Sequence, residues 1–441
     1  MKTEKIKNIF KNYNNKFFYL KNKILFLICI LIIFRIGNFI PIPGFNIYFI
    51  NDFLLKNNNF NIFENFNIFL KNNINNFSIF FLGLTPYISS TIIVQIINFI
   101  YPNFKKKYKN SYNINNKINQ FIRYLTFIIS LIQSIIILLN LNKFIFLKNF
   151  VIYNNFLLNL IILISLVTGS MLLMWLGEKI NENGIGNGIS IIICLGILFN
   201  IPISINNIFQ EQLKNLIFLK IILYIFLLFL FVLFIIFIEC SQRRISVNYK
   251  SNQIKNKFYT LQNIYLPLKI NIAGITPVIF STSFVLFLIN LISFLLIKFN
   301  NLILIKNIIL YLKPGKLIYV LLYINFILIF NFLNISLFFN SKETANNLKK
   351  SNAYIYGIRP GIKTEKYINN IISRLNILGS IYIIIVCLFP EIFKIFNISL
   401  YLNGTSILIV TLVIMEFISQ IQSLLMSNQY NSVIKKTNLK C

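Results

Sequence analysis

The chain of 441 residues contains no histidine. That removes the commonest general base and the commonest metal ligand at once. Acidic residues are almost as scarce, 11 Asp and Glu against 42 Lys and Arg. No pair of carboxylates and no nucleophile–base pair emerges from so few, so the sequence does not read as an enzyme. The five cysteines, Cys29, Cys194, Cys240, Cys387 and Cys441, are scattered without a CxxC pair. Neither a zinc site nor a disulfide framework is indicated, and no cofactor is expected. "NGIGNGIS", residues 183–190, has GxGxG spacing but follows an apolar run instead of a strand, which argues against dinucleotide binding. It reads as close helix packing and a flexible lead into the next span. "LKPGK", 312–316, lacks the Walker A spacing and reads as a turn.

What the chain has is apolar length. Hydrophobic residues make up 57% of it, and the mean hydropathy is +0.73. No soluble core needs so many apolar runs of ~20 residues, so the chain is expected to be a polytopic membrane protein. Lys, Asn, Ile, Phe and Tyr are over-used together, as AT-rich codons would produce. That bias inflates the net charge of +31.

Apolar windows predict ten spans, near 24–40, 77–100, 121–140, 151–176, 185–204, 216–238, 271–297, 317–339, 373–396 and 404–426. The basic stretch 1–23 followed by an apolar run resembles a signal peptide. "IPIPG" then follows without a small-residue cleavage motif, so a retained first helix acting as a start-transfer anchor is expected. With the N-terminus inside, 30 of the 42 Lys and Arg fall on inside segments, and the other 12 lie on outside segments or, like Arg35, within spans. This is the positive-inside pattern with both termini cytoplasmic. The outside segment 298–316, with four Lys, runs against it locally.

Two inside segments, 239–270 and 340–374, are long and basic. Orientation alone explains part of that charge. The remainder suits docking onto something large and acidic, such as RNA or an acidic protein face. Pro360 and Gly361 place Arg359 at a turn, from which a guanidinium can project.

The spans themselves carry polar stripes. In "GLTPYISSTIIVQIINFIYP", 83–102, Leu84, Ile88, Thr91, Gln95 and Asn98 fall within an arc of roughly 80° on a helix. The fifth span repeats the pattern with Ile189, Ile193, Gly196 and Asn200. The seventh has Ile272, Thr276, Ile279, Ser283, Leu286 and Asn290, and the tenth has Thr405, Ile409, Val413, Glu416, Gln420 and Ser423. Ordinary helix packing also uses such residues. Four faces of one character, each with aliphatics beside polar groups, predict a shared aqueous passage with an aliphatic waist. The segment 60–76, too short and polar to span, is expected as a loop or as a re-entrant element at the outer mouth.

Seven stretches occur in order from about residue 20 to the C-terminus: "IPIPGFN", "GLTPYISSTIIVQ", "GEKINENGIGNGISIII", "SQRRISVNYK", "LPLKINIAGITPVIF", "KETANNLKKSNAYIYGIRPG" and "LNGTSILIVTLVIMEF". Together they resemble the SecY family, the channel subunits of the bacterial protein translocase. The resemblance implies an all-α polytopic membrane protein of ten transmembrane helices in two inverted five-helix halves, forming an hourglass channel with a lateral gate. By motif position the pore ring is Leu84, Ile88, Ile189, Ile193, Ile279 and Ile409. The lateral gate and vestibule take Thr91, Gln95, Thr276 and Ser283, with the gate between spans two and seven, assisted by three and eight. Motor or ribosome docking falls to Arg243, Arg244, Lys250 and Arg359.

The implied organisation is a basic cytoplasmic N-terminus (1–23), an N-terminal half (24–204) with a plug near 62–74, an external hinge loop (205–215), a C-terminal half (216–426) and a cytoplasmic tail (427–441). The implied partners are SecE-like and SecG-like subunits, a SecA motor, the ribosome, secretory preproteins with their signal peptides, and the lipids of a bacterial inner membrane. Two departures stand out: "FLKNNINN" is bulkier and more polar than the family's plug, and Leu84 replaces the family's usual Ile. The rival class is a secondary transporter, which also uses inverted repeats and broken helices. A receptor for ribosomes without a conduit would leave the aliphatic ring unexplained.

Overall fold

The computed structural model describes residues 2–43, 78–101, 114–143, 156–213, 218–249, 264–298, 316–395 and 404–438. Ten long helices match the ten expected spans one for one. They are α1 (Lys2–Phe39), α2 (Thr85–Ile100), α3 (Ile114–Lys143), α4 (Phe156–Asn183), α5 (Gly188–Leu213), α6 (Phe218–Cys240), α7 (Thr276–Lys298), α8 (Leu317–Phe338), α10 (Ile362–Ile395) and α11 (Gly404–Asn438). A short helix, α9 (Ser341–Lys350), lies between α8 and α10. Helices dominate because a backbone inside hydrocarbon must satisfy its own hydrogen bonds. Among the described residues, five helices are long and apolar enough to cross a membrane, and four shorter apolar ones accompany them.

Several helices outrun their apolar windows. α1 begins at Lys2, so the expected basic N-terminal segment continues the first span as helix. No Gly or Pro interrupts it before Gly37. α5 runs through Pro202 to Leu213, so most of the expected hinge loop 205–215 is helical. α11 likewise carries the expected tail as far as Asn438. The physical reason is common to all three. Hydropathy marks the part of a helix that sits in lipid, while intrahelical hydrogen bonds do not require apolar side chains and continue into polar sequence.

The two basic segments expected as loops are partly folded. β1 (Gln242–Tyr249), β2 (Ile264–Lys269) and β3 (Ala353–Ile355) form an antiparallel sheet in the order β2-β1-β3. Val247 is the shared partner, opposite Ile264 on one side and Ile355 on the other. Alternation along β1 buries Ile245 and Val247 and exposes Arg244 and Ser246. The buried side chains join Leu268, Ala353 and Ile355 against Ile368, Ile371, Ile372 and Leu375 of α10, making a small core separate from the central one. α9 starts where the Asn340 side chain accepts from the Glu343 N–H at 3.4 Å, and it ends on Lys349 and Lys350, which suit the helix dipole.

A short wedge sets the start of α2. Residues 78–84 form turns held by the Ile79 N–H donating to Ile40 O at 3.0 Å and by a bridge between Pro41 and Ser78. The wedge presses on α4 at Gly169, where an added Cβ would lie 2.1 Å from Ile79 O. Phe34 of α1 stacks on Phe80 of the wedge at 5.9 Å and on Phe199 of α5 at 6.0 Å. Arg35 finds its partners in π-faces, 4.6 Å above Phe39 and 4.4 Å above Phe199. Its charge thereby joins α1 to α5 without a carboxylate.

The glycine run 183–190 is a packing device. At Gly188 a Cβ would lie 2.1 Å from Gly177 O, so α4 and α5 meet backbone to backbone there. Gly186 has φ +94°, a region open to glycine. Gly196, on the predicted passage face of α5, has no neighbour within 4 Å of such a Cβ. Gly188→Ala should therefore destabilise the protein by roughly 1–3 kcal/mol through forced separation of α4 and α5. Gly196→Ala should be neutral or slightly stabilising. Thermal unfolding of the two purified variants in detergent checks the contrast.

Candidate functional site: a central aliphatic junction and a basic sheet

Four helices carry the predicted pore ring, and the structure brings them together. α2 packs against α7, and α5 packs against α11, while α3 and α8 flank the α2–α7 contact. Leu84, Ile88 and Ile409 are buried members of one continuous apolar core. Ile189, Ile193 and Ile279 are half-buried and pack against that same core. All six therefore belong to or border one apolar core, to which helices from both ends of the chain contribute. Leu84 is positioned by the wedge, since the Thr85 hydroxyl donates to Leu82 O at 2.8 Å and approaches Gln133 Oε1 of α3 at 3.4 Å. Ile193 follows from the close α4–α5 approach, one turn along from Ile189.

The polar groups of α2 divide in two. Ser89 and Ser90 are buried and donate to Pro86 O and Tyr87 O at 2.9 and 2.7 Å. They are satisfied by their own helix and serve packing. Thr91, which donates to Ile88 O at 2.8 Å, and Gln95 are half-buried, as residues beside a cavity would be. On α7, the Thr276 hydroxyl donates to Ala273 O at 2.9 Å and that of Ser283 to Ile279 O at 2.5 Å, with Ser283 buried. On α11, the exposed Gln420 accepts the Gly186 N–H at 2.6 Å, tying α11 to the glycine turn before α5.

The second group of predicted residues lies on the sheet. Arg243 and Arg244 are exposed on β1, opposite Leu268 and Pro267. Arg359 is exposed just before α10, its carbonyl accepting from the Thr364 hydroxyl at 2.9 Å, with Gly357 and Gly361 beside it at φ +75° and +109°. Because β1 pairs with β3, the two basic segments form one structural unit. Lys250 and the plug expected near 62–74 lie outside the described residues.

Some positioning residues escaped the sequence reading. Asn271 is buried, donates to Glu239 Oε1 at 2.6 Å and accepts from the Gly274 N–H at 3.1 Å. It closes the turn that launches α7 and ties it to the end of α6. Asn followed by Gly274, which adopts φ +65°, was the available signal. Arg123 of α3 grips Glu178 of α4 with two hydrogen bonds, 3.0 and 2.8 Å. The two residues are far apart in sequence and nothing in either segment announced the pair.

A family model described as SecY matches residues 78–418. The SecY protein translocase subunit of Buchnera aphidicola subsp. Acyrthosiphon pisum (strain APS) is 45% identical over 98% of each chain. The chain belongs to the SecY family. Solved structures extend the likeness to the fold. One described as a protein-conducting channel aligns with a TM-score of 0.68 at 16% identity, covering 93% of both chains. The canine Sec61 structure, from a ribosome–channel complex of the endoplasmic reticulum, aligns with a TM-score of 0.64 at 15% identity over the same share. The fold is thus that of the SecY channels, an all-α polytopic membrane protein, here with a small β-sheet at one end. The SecY stretch "LPLKINIAGITP" owes its geometry to Asn271. Asn271→Ala should leave the buried Glu239 without this donor and loosen the turn, at a cost of roughly 1–3 kcal/mol. A lowered thermal midpoint in detergent checks it.

Proposed function

We propose that this chain is the pore-forming subunit of a protein-conducting channel, which moves unfolded secretory polypeptides across the membrane and releases membrane segments sideways into lipid. The observation that carries the proposal is the aliphatic junction. Side chains from α2, α5, α7 and α11 belong to one apolar core, and the six proposed ring residues among them are uncharged. Such a surface deforms around a passing chain without binding any one sequence, and its apolar lining sheds water and limits ion leak. Thr91 and Gln95 of α2, and Thr276 and Ser283 of α7, flank it on the helices whose separation would open a path to lipid. A secondary transporter is not favoured, given the family to which the chain belongs.

The energy for transport comes from partners docked on the basic sheet. Arg243, Arg244 and Arg359 stand exposed on one unit, and 340–374 adds further Lys with only two acidic residues, Glu343 and Glu365. This suits an acidic face of a SecA-like motor or of a ribosome. A SecE-like subunit clamping the two halves, with a SecG-like subunit beside it, completes the proposed assembly in a bacterial inner membrane with both termini cytoplasmic.

A photocrosslinker at Ile193, with an arrested secretory precursor, should capture the precursor. The same probe at exposed Leu198 on α5 serves as the control. Efficient targeting without an Ile193 crosslink would overturn the pore assignment. Arg359→Glu should slow motor-driven transport about tenfold or more, the equivalent of ~1.4 kcal/mol lost in docking, while the complex still assembles. An unchanged transport rate in reconstituted vesicles would remove Arg359 from the docking site.

A further inference from the structure

The central core and the core beneath the sheet are separated by a polar layer between α8 and α10. Asn331 and Asn334 lie three residues apart on one face of α8, and Asn376 lies on α10, which packs against it. Their exposures are 1%, 1% and 3%. Phe330 and Ile383 belong to the core on one side, and Ile335, Ile372 and Leu375 to the core on the other. Asn331 Nδ2 donates to the main-chain carbonyl of Asn376 at 3.4 Å, a weak link from α8 to the α10 backbone. Asn331 Oδ1, Asn376 Oδ1 and both amide atoms of Asn334 are buried and have no hydrogen-bond partner among the described residues.

Exchanging O and N at Asn334 does not rescue it, because both atoms are unpaired. Apolar side chains of similar volume would fill the same space without desolvating four polar atoms. A buried water needs two to four polar partners, and these atoms provide a donor and acceptors on two helices packed against each other. We propose that Asn331, Asn334 and Asn376 form an internal water-binding site, a hydrated seam between the membrane core and the sheet-bearing core of the same half. Water bridges the α8 amides to the Asn376 carboxamide, and the two helices meet there through solvent instead of through interdigitated side chains.

The test uses the full chain assembled with its partner subunits in lipid nanodiscs. A density map fine enough to show ordered water should place water within about 3.2 Å of both amide atoms of Asn334. Direct amide-to-amide pairing of the three asparagines, with no water density, would overturn the site. A second measurement reads the sign of a stability change. If the amides are hydrated, Asn334→Leu expels water that Asn331 and Asn376 need, and the thermal midpoint falls by a few degrees. A rise in the midpoint would mean that Asn334 was an orphan whose removal relieves the core, and would also overturn the site. Should Asn334→Leu fail to assemble, the density map of the unaltered chain decides alone.

Discussion

The structure depends on a contact between aliphatic side chains, groups that form no hydrogen bonds of their own. α2 and α5 meet α7 and α11 through Leu84, Ile88, Ile193, Ile279, Ile409 and their neighbours in one apolar core. In lipid, such packing has little hydrophobic drive, since hydrocarbon tails are as apolar as isoleucine; it rests on dispersion and fit. The consequence is a close-packed joint held by shape and dispersion and by no directional bond between its aliphatic side chains. Stronger links are placed away from it. Arg123 with Glu178 holds α3 to α4, Arg35 between two phenylalanine rings holds α1 to α5, and Gly188 against Gly177 closes α4 on α5. These tie helices among α1 to α5. The aliphatic junction, joined at one end by Gln420 and Gly186, ties α2 and α5 to later helices.

The same division of labour runs through the second half. Asn271 and Glu239 fix where α7 leaves the sheet unit, and α10 carries both the sheet core and part of the central core. Arg243, Arg244 and Arg359, the proposed docking residues, thus belong to a unit rooted in α10 and in the ends of α6 and α7. The proposed hydrated seam lies where α10 packs against α8. Water-bridged contacts re-form over a range of geometries, whereas interdigitated side chains do not.

Much of this was legible from the amino acids alone. The ten spans and the polar-flanked aliphatic faces follow from periodicity, and the six residues that the resemblance to SecY singles out, all of them on those faces, belong to or border one core. The polar groups of α2 divide in two: Ser89 and Ser90 back-bond to their own helix, while Thr91 and Gln95 keep half-buried positions. Helix ends were less legible. Hydropathy ends where lipid ends, and α1, α5 and α11 each continue as polar helix. The strand pattern "RRISVNY" was present but masked by its charge.

The sequence by itself determined the class of protein, the order of its spans and the side on which its charge collects. Those properties are sums over local windows, and lipid reads them window by window. Tertiary structure alone decided that Val247 would pair with Ile355, that the wedge 78–84 would rest on Gly169, and that Asn331, Asn334 and Asn376 would share one buried layer. Each of these joins segments far apart in the chain. Local periodicity carries no record of which distant face a residue will meet, because that choice is made only when all the helices pack at once.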